Sequence, residues 1–338
     1  MAWAVAVLIG DFGDRVVSNW ESTATMLFVS FLAGSSPEGG GAVAFPVFTK
    51  VLEVPGPVAR TFGLCIQAVG MTMATISILL SGRRFHARAA VVGSIAGVVG
   101  FVAAVFLVGE RDQLFWPSAI GTPWVKATFS IVLATTSVIM VLHLRHGDDA
   151  HTELPWNRRL DIGLIVVALA GGLLASLTGT GTNILVFLFL VALADVLPKT
   201  ALPTAIIVMT AVSVVGLVVF GVIDGQLDVQ TVDDRVVAVG GQAADLDAGS
   251  ADLLGLWLAA VPVVVWGAPL GSFAASLVRE DHLVRFVAVL ATIEVVTTFL
   301  LVSELRTDAA LIAYMIVGLL VLPAGLILMR RNRRSIFS

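Results

Sequence analysis

The sequence predicts an all-α polytopic membrane protein built as an inverted repeat of two halves. Each half is expected to contain a broken re-entrant hairpin and three transmembrane helices, and one extra helix follows at the C-terminal side. Three observations predict this architecture: the composition, the recurrence of long apolar segments, and two polar interruptions at corresponding places in the halves.

The composition identifies the solvent in which the chain folds. Residues of the AVILMFWYC set make up 58% of the 338 residues, charged residues make up 13%, and the mean hydropathy is +0.98. Soluble domains carry about 25% charged residues, so a large soluble helical protein would need polar faces that these segments lack. The composition therefore predicts a membrane protein.

Seven apolar segments are long enough to cross a membrane as helices. A helix of about 20 residues spans the roughly 30 Å hydrocarbon core of a bilayer, and each segment is close to that length with almost no charge. The segments are 61–81, 89–109, 125–142, 200–223, 253–278, 286–303 and 309–329. We predict one transmembrane helix for each.

The distribution of charge predicts how these helices are oriented. Arginines cluster at 83–88, 145–159, 279–285 and 330–334, and the positive-inside tendency places those connections in the cytoplasm. The loop 224–252 carries seven aspartates against Arg235 alone, so we expect it outside. We interpret its acidity as an adaptation to a high-salt (halophile) habitat, and repulsion of returning anions is the alternative.

If this orientation holds, two further segments must each begin and end on the same side of the membrane. They are 22–53 and 162–197. The first is interrupted by SSPEGGG (35–41) and the second by TGTGTN (178–183). Proline and glycine favour a break in a helix, and non-helical backbone at membrane depth must be buried in protein or line a wet cavity. We therefore predict two re-entrant hairpins. In 162–197 each half would be a helix of about 15 residues, which is too short to cross the bilayer.

The domain boundaries follow from these assignments. They are an N-terminal segment (1–21), membrane repeat one (22–144), a cytoplasmic linker (145–161), membrane repeat two with its acidic outer loop 224–252 (162–303), and a final helix with a basic tail (309–338). A shift of 142 residues aligns the halves weakly and places Gly39-Gly40-Gly41 over Gly181-Thr182-Asn183. Paired interruptions in two halves point to the binding site of a transporter.

The two interruptions supply candidate donors to a small anion. Backbone N–H groups at a helix N-terminus carry a positive dipole end, and hydroxyl and amide side chains add further donors. The candidate substrate-binding residues are Ser35, Ser36, Gly39, Gly40, Gly41, Gln67, Thr178, Thr180, Gly181, Thr182 and Asn183. Helix capping and hydrogen bonding between helices are the structural alternatives for their side chains.

Two carboxylates, Glu38 and Glu294, interrupt apolar sequence and are candidate coupling residues. A charge at bilayer depth is costly, so Glu38 is predicted to carry a proton, with a pKa set by burial and by its neighbours. The alternative is that Glu38 is solvated at the outer face. For Glu294 the alternative is a structural hydrogen bond between helices.

Five segments of the chain carry a family resemblance. They are GSSPEGGGAVAFPVF (34–48), PVARTFGLCIQAVG (57–70), TGTGTNILVFL (178–188), PKTALPTAI (198–206) and WGAPLGSFAASL (266–277). In these segments the chain resembles the TauE/SafE family of sulfite and organosulfonate exporters. The resemblance implies a membrane carrier for sulfite, an organosulfonate or another small organic anion. The second half has GTGTN in place of the glycine run, and Glu38 stands beside that run.

Together, the motifs and the resemblance predict a secondary transporter that moves a small anion outward across the plasma membrane. No Walker, HExxH, CxxC or GxSxG motif occurs, so we expect no enzymatic activity, no cofactor and no metal. The expected partners are the anion, the lipid bilayer and protons as a candidate coupling ion, with a homodimer left open and no nucleic acid. The alternatives are a cation-coupled carrier or channel that uses Glu38 and Glu294, and a non-transporting membrane scaffold.

Overall fold

The computed structural model describes most of the chain. It covers residues 3, 7, 10–37, 47–49, 54, 56–107, 121–145, 156–228, 230–232, 235–238, 242–244 and 252–332. Of the predicted site residues, Glu38 and Gly39–Gly41 lie outside the described part, and so does the side chain of Glu294.

Helices make up the membrane part of the protein. In chain order they are α1 (Gly13–Ser18), α2 (Trp20–Ser35), α3 (Gly56–Leu80), α4 (Ala87–Leu107), α5 (Thr122–Arg145), α6 (Arg158–Thr178), α7 (Thr182–Ala192), α8 (Pro198–Gly216), α9 (Leu253–Leu277), α10 (Glu280–Leu301) and α11 (Ala309–Arg331). A π-helical segment, Leu217–Ile223, continues α8.

Within the described chain, eight helices are long and apolar enough to cross a membrane. Seven of them are the helices predicted from the sequence, with ends shifted by a few residues. The eighth is α6, which has 21 residues, whereas the sequence predicts a half-length helix there. The break that follows it is present, but it divides the segment unevenly, because α7 has only 11 residues.

The first interruption also ends a helix. α2 has 16 residues and stops at Ser35, so it is shorter than the roughly 20 residues that cross a bilayer. Ser36 is already extended, with φ −132° and ψ 152°. The chain is helical again at residues 47–49.

The acidic loop contains a small sheet that the sequence analysis does not predict. The strands β1 (Gln230–Val232), β2 (Arg235–Ala238) and β3 (Gln242–Ala244) pair antiparallel in the order β1-β2-β3. Short stretches of Val, Thr and Ala alternate here with Asp-Asp and Gly-Gly, which are turn sequences. The runs are too short for a transmembrane helix but suit strands of three or four residues.

One end of the helical bundle carries aspartates, and we call it the acidic end. Arg15 forms an ion pair with Asp252 at the start of α9, and the amide of Asn19, just before α2, lies 3.3 Å from the same carboxylate. α3 also begins here, because the hydroxyl of Thr61 donates to Gln226 in the acidic loop at 2.7 Å.

The opposite end carries arginines, and we call it the basic end. Arg88 at the start of α4 pairs with Asp161 at the start of α6. The guanidinium of Arg83, in the connection between α3 and α4, donates to the backbone carbonyl of Ser272 near the end of α9. α2, α3 and α9 therefore run from the acidic end to the basic end, whereas α4 and α6 start at the basic end.

Two long helix pairs form the closest contacts in the bundle. α2 packs along α9, and α6 packs along α4. Glycine allows both approaches, because a Cβ added at Gly34 would lie 1.9 Å from the carbonyl oxygen of Ala268, and one at Gly172 would lie 2.1 Å from that of Gly97. Small residues commonly let membrane helices approach in this way. α5 packs mainly against α10 and α11, and α3 against α8 and α9.

Candidate functional site

The break between α6 and α7 is buried inside the bundle. Gly179 has φ 77° and Gly181 has φ 125°, a region that residues with a Cβ rarely adopt. A Cβ on Gly179 would also lie 2.5 Å from the carbonyl oxygen of Arg60. Thr180, between the two glycines, is fully buried. Glycine is therefore required at both positions, and the break lies where water is excluded.

Polar side chains within the break hold its shape. Oδ1 of Asn183 accepts hydrogen bonds from the hydroxyl of Thr180 and from the N–H of Gly181, both at 3.3 Å. The hydroxyl of Thr178 lies 2.6 Å from the carbonyl oxygen of Thr180. Thr178, Thr180 and one end of the Asn183 side chain thus have a structural role within the break, although the N-cap residue of α7, Gly181, has no side chain to cap the helix.

Two side-chain donors at the start of α7 are not used by the protein. The hydroxyl of Thr182 and the amide nitrogen Nδ2 of Asn183 are buried and have no hydrogen-bond partner in the described part of the chain. Buried polar atoms are nearly always paired. The first N–H groups of α7 also lack acceptors within their own helix. This cluster of donors suits a ligand that accepts hydrogen bonds, such as an oxyanion.

Gln67 connects this break to the centre of the bundle. Its amide nitrogen donates to the carbonyl oxygen of Gly179 at 2.8 Å, and its Oε1 is buried without a partner among the described residues. Gln67 is the twelfth of the 25 residues of α3, so it lies near the middle of that helix. It also lines a cavity between α2, α3 and α9, with Ser30 and Ala33 on the α2 side.

That central cavity has a volume of only about 10 Å³. A cavity of about 10–15 Å³ holds one water molecule, so no substrate anion fits there in this conformation. The structure is therefore closed around Gln67. A transport cycle would need a rearrangement that enlarges this space.

Arg60 is a buried cation beside the break. It is not among the site residues predicted from the sequence. It is fully buried in the second turn of α3. Its guanidinium lies 4.3 Å from the ring centroid of Phe220 and donates to the carbonyl oxygen of Ser176 at 3.4 Å. Because the predicted transmembrane helix begins at residue 61, the sequence places Arg60 just outside the membrane, as a charge that flanks this helix. The signal that could have identified it is the apolar sequence on both sides, PVARTFG.

The first break places two predicted residues at the end of α2. The hydroxyl of Ser35 donates to the carbonyl oxygen of Leu32 at 3.2 Å, and the backbone N–H of Ser36 donates to the same oxygen at 2.9 Å. The hydroxyl of Ser36 is buried and has no partner in the part of the chain that the structure describes. The rest of this candidate site, Glu38 and Gly39–Gly41, lies outside the described residues.

The two breaks are offset along the bundle. The second break contacts Arg60 and Gly63 in the first third of α3, which starts at the acidic end. The end of α2 lies further toward the basic end, because Gly34 contacts Ala268 and Ser272 of α9. Of the predicted residues, the structure thus brings Gln67 together with 178–183. Ser35 and Ser36 do not line the central cavity, although Ala33, earlier in α2, lines it together with Gln67.

Comparison with known proteins identifies one family. A family model described as "Sulfite exporter TauE/SafE" matches residues 22–298, which include both breaks, Arg60 and Gln67. The comparisons with curated proteins and with solved structures found no match. The match confirms the resemblance given by the sequence motifs.

Proposed function

Because the chain belongs to the sulfite exporter TauE/SafE family, we propose that it is a secondary transporter that exports a small anion across the plasma membrane. The anion is sulfite, an organosulfonate or a related sulfur-containing or organic anion. The family is one of transporters rather than enzymes, and the eight apolar helices make the chain a multi-pass membrane protein.

One observation carries the anion assignment: the unused donors at the buried start of α7. Thr182 and Asn183 offer a hydroxyl and an amide N–H, and the dipole of α7 adds a positive end. Arg60 lies beside the same break. Hydrogen bonds from such groups to a charged acceptor are stronger than neutral ones, so the site favours an anion over a cation.

The proposal includes an inverted repeat with two re-entrant hairpins. The first helix of each half packs along a helix of the other half. α2 packs along α9, and α6 packs along α4. The equivalent helices α3 and α8 pack on each other, and so do α5 and α10. α2 begins at the acidic end and α6 at the basic end. Exchanged contacts of this kind are what a pseudo-twofold axis in the membrane plane would produce.

The second hairpin has further support from its two ends. Asp161, at the start of α6, pairs with Arg88. Lys199, just after the turn that follows α7, lines one cavity together with Arg83. The segment from 158 to 199 therefore starts and finishes at the basic end. This is expected of a re-entrant hairpin, because such a hairpin enters and leaves the membrane on the same side.

We infer that transport proceeds by movement of one half against the other around Gln67. The closed central cavity corresponds to an occluded form, and opening toward one end admits the anion. The anion then accepts hydrogen bonds from Thr182, Asn183 and the first N–H groups of α7, which together we call the central site. Coupling to protons through Glu38, with Glu294 as a second carboxylate, is proposed from the sequence, since a carboxylate that binds a proton with the anion would link the two fluxes.

Uptake of labelled sulfite or sulfoacetate into proteoliposomes tests the proposal. Thr182→Val removes a hydroxyl that makes no hydrogen bond within the described chain. We expect uptake at low substrate concentration to fall at least tenfold, because a hydrogen bond to a charged group contributes about 1.5–3 kcal/mol. The matched control is Thr136→Val, which removes an equally buried hydroxyl whose one hydrogen bond among the described residues is to the carbonyl oxygen of Val132 in its own helix, at 3.0 Å. The control should transport normally.

The same assay separates the alternatives. Glu38→Gln should abolish the pH dependence of anion uptake if Glu38 carries the coupled proton. Sodium flux without any anion requirement would instead support the cation carrier or channel. A wild-type protein that moves neither kind of ion would support the scaffold and contradict the proposed function.

A further inference from the structure

A second, larger cavity opens at the basic end of the bundle. It has a volume of about 270 Å³ and lies between the connection of α3 to α4, the start of α8, the end of α9 and the start of α10. Three cationic and three hydroxyl side chains line it: Arg83, Arg84, Lys199, Thr200, Ser272 and Ser276. No carboxylate belongs to its lining among the described residues.

No carboxylate in the described part of the chain pairs with the three cations of this cavity. The ion pairs recorded at this end of the described chain involve other arginines, in the pairs Arg88–Asp161 and Arg279–Asp281. Arg84 and Lys199 are exposed. Three cations that converge on one concave surface repel one another, so an anion bound between them would be favoured.

Arg83 is held in place at the wall of this cavity. Its guanidinium donates to the hydroxyl of Ser272 at 2.8 Å as well as to the backbone carbonyl of that residue. Partial burial lowers the pKa of the Arg83 guanidinium, and the group stays charged because arginine is effectively always protonated in proteins. Burial also removes solvent that would screen its charge, and the hydroxyls beside it can donate to a bound oxygen.

The basic cavity and the central cavity lie close together along α9. Ala268 of α9 lines the central cavity, and Ser272 and Ala275 of the same helix line the basic one. These positions are one and two helical turns apart, or about 6 and 10 Å along the axis. If the positive-inside tendency holds, the basic cavity is the cytoplasmic entrance.

We propose that this cavity is a vestibule that binds a small oxyanion, carrying a sulfite, sulfonate or phosphate-type group, before it enters the central site. Its part in transport rests on the proposed function, whereas binding in the cavity does not. A basic concave surface raises the local concentration of anions, and salt screens that effect. The volume suits a small anion and is below the roughly 300–1,000 Å³ of pockets for drug-sized ligands.

Calorimetric titration with sulfite and with methanesulfonate tests the vestibule. The full chain carries Thr182→Val, which weakens the central site, and is held in nanodiscs of phosphatidylcholine alone. We expect both anions to bind, with an affinity that falls as the concentration of sodium chloride is raised. Adding the pair Arg84→Gln and Lys199→Gln should lower that affinity at least tenfold. Arg83 is left intact because it is bonded to α9. The control is Arg279→Gln, which removes an exposed cation outside the cavity and should leave binding unchanged.

A parallel titration distinguishes a free anion from a lipid headgroup. In nanodiscs that contain phosphatidylglycerol, a headgroup in the cavity would suppress sulfite binding and would be retained by the purified protein. Retained phosphatidylglycerol together with no sulfite binding in phosphatidylcholine nanodiscs would overturn the vestibule. Equal sulfite affinities in the paired variant and in Arg279→Gln would also overturn it.

Transport separates this inference from the proposed function. In a chain that keeps Thr182, the pair Arg84→Gln and Lys199→Gln should raise the KM for sulfite about tenfold and leave the maximal rate within about twofold, because the central site is then intact. An unchanged KM with absent binding contradicts the vestibule and leaves the transporter standing. Binding in the cavity by a protein that transports no anion contradicts the transporter and supports the site.

Discussion

Asn183 divides its side chain between structure and ligand. Oδ1 holds Thr180 and Gly181 in the break, while Nδ2 has no partner in the described chain. Gln67 is the reverse case, since its nitrogen holds Gly179 and its oxygen is unused. Single residues thus join the shape of the break to its chemistry. A substitution by alanine would remove both functions together, whereas Thr182→Val changes only the unused group.

Asp252 is a residue whose charge fixes one end of α9. It caps the helix by accepting from the N–H of Gly255 at 3.1 Å, and it pairs with Arg15. Burial raises the pKa of its carboxyl, but the hydrogen bonds from Arg15, Gly255 and Asn19 outweigh burial and hold the pKa below its ordinary value.

We expect the stability of the protein to lose a contribution from Asp252 at acid pH. A depressed pKa stabilises the fold above the unfolded pKa of about 3.9, and the stabilisation is lost as pH falls through the folded pKa. Asp252→Asn keeps a capping side chain and removes the charge. Its Tm in detergent should be a few degrees below wild type at pH 7, and the difference should shrink below about pH 4. A difference that is constant with pH would contradict this assignment.

At the scale of elements, glycine determines which helices lie together. The pairs α2–α9 and α4–α6 approach so closely that backbone carbonyls occupy the space of a Cβ. The sequence indicates that glycines allow close contact, but it does not name the partner helix. α6 extends to 21 residues, because it packs along α4 until the glycines of the break stop it.

Gly34→Ala and Gly172→Ala should each destabilise the protein by about 1–3 kcal/mol, as overpacking does in other cores. The added Cβ would meet backbone at 1.9 and 2.1 Å, and backbone cannot turn away as a side chain can. Tm values in detergent measure the effect. Gly325→Ala is the matched control within α11, because no atom of the described residues lies within 4 Å of its Cβ position. If Gly325→Ala proved equally destabilising, close helix contact would not be the cause.

At the scale of the whole molecule, charge separates the two ends of the bundle. Arg83, Arg84 and Arg88 mark one end, and Asp224 and Asp252 mark the other. This asymmetry fits the predicted orientation, with the acidic loop outside. A homodimer stays a prediction, and α11 has the most exposed surface of the candidate spans, with 17% of its apolar window buried.

Cysteine labelling tests the orientation, since Cys65 is the one cysteine of the sequence and is buried. Thr307→Cys lies between α10 and α11 at the acidic end, and Arg279→Cys lies before α10 at the basic end. A maleimide that cannot cross membranes should label Thr307→Cys in intact cells and Arg279→Cys only after permeabilisation. The unsubstituted protein should stay unlabelled. The reverse pattern would place the basic cavity outside and would contradict an entrance from the cytoplasm.

The sequence by itself determined the membrane environment, seven of the eight long helices, both interruptions and the family. These features are local, because a helix satisfies its backbone hydrogen bonds within its own segment and glycine or proline ends it at a fixed place. For the same reason the candidate substrate-binding residues of the second break could be named before any packing was known, namely Thr178, Thr180, Gly181, Thr182 and Asn183.

Only the tertiary structure decided which groups meet at the site. Arg60 is significant because folding buries it against the break, and Gln67 because α3 passes Gly179 at hydrogen-bond distance. The basic cavity joins Arg83 to Lys199 across more than a hundred residues of sequence. Burial and contact depend on how helices pack across the bundle, and that arrangement is not encoded in the hydropathy of any one segment.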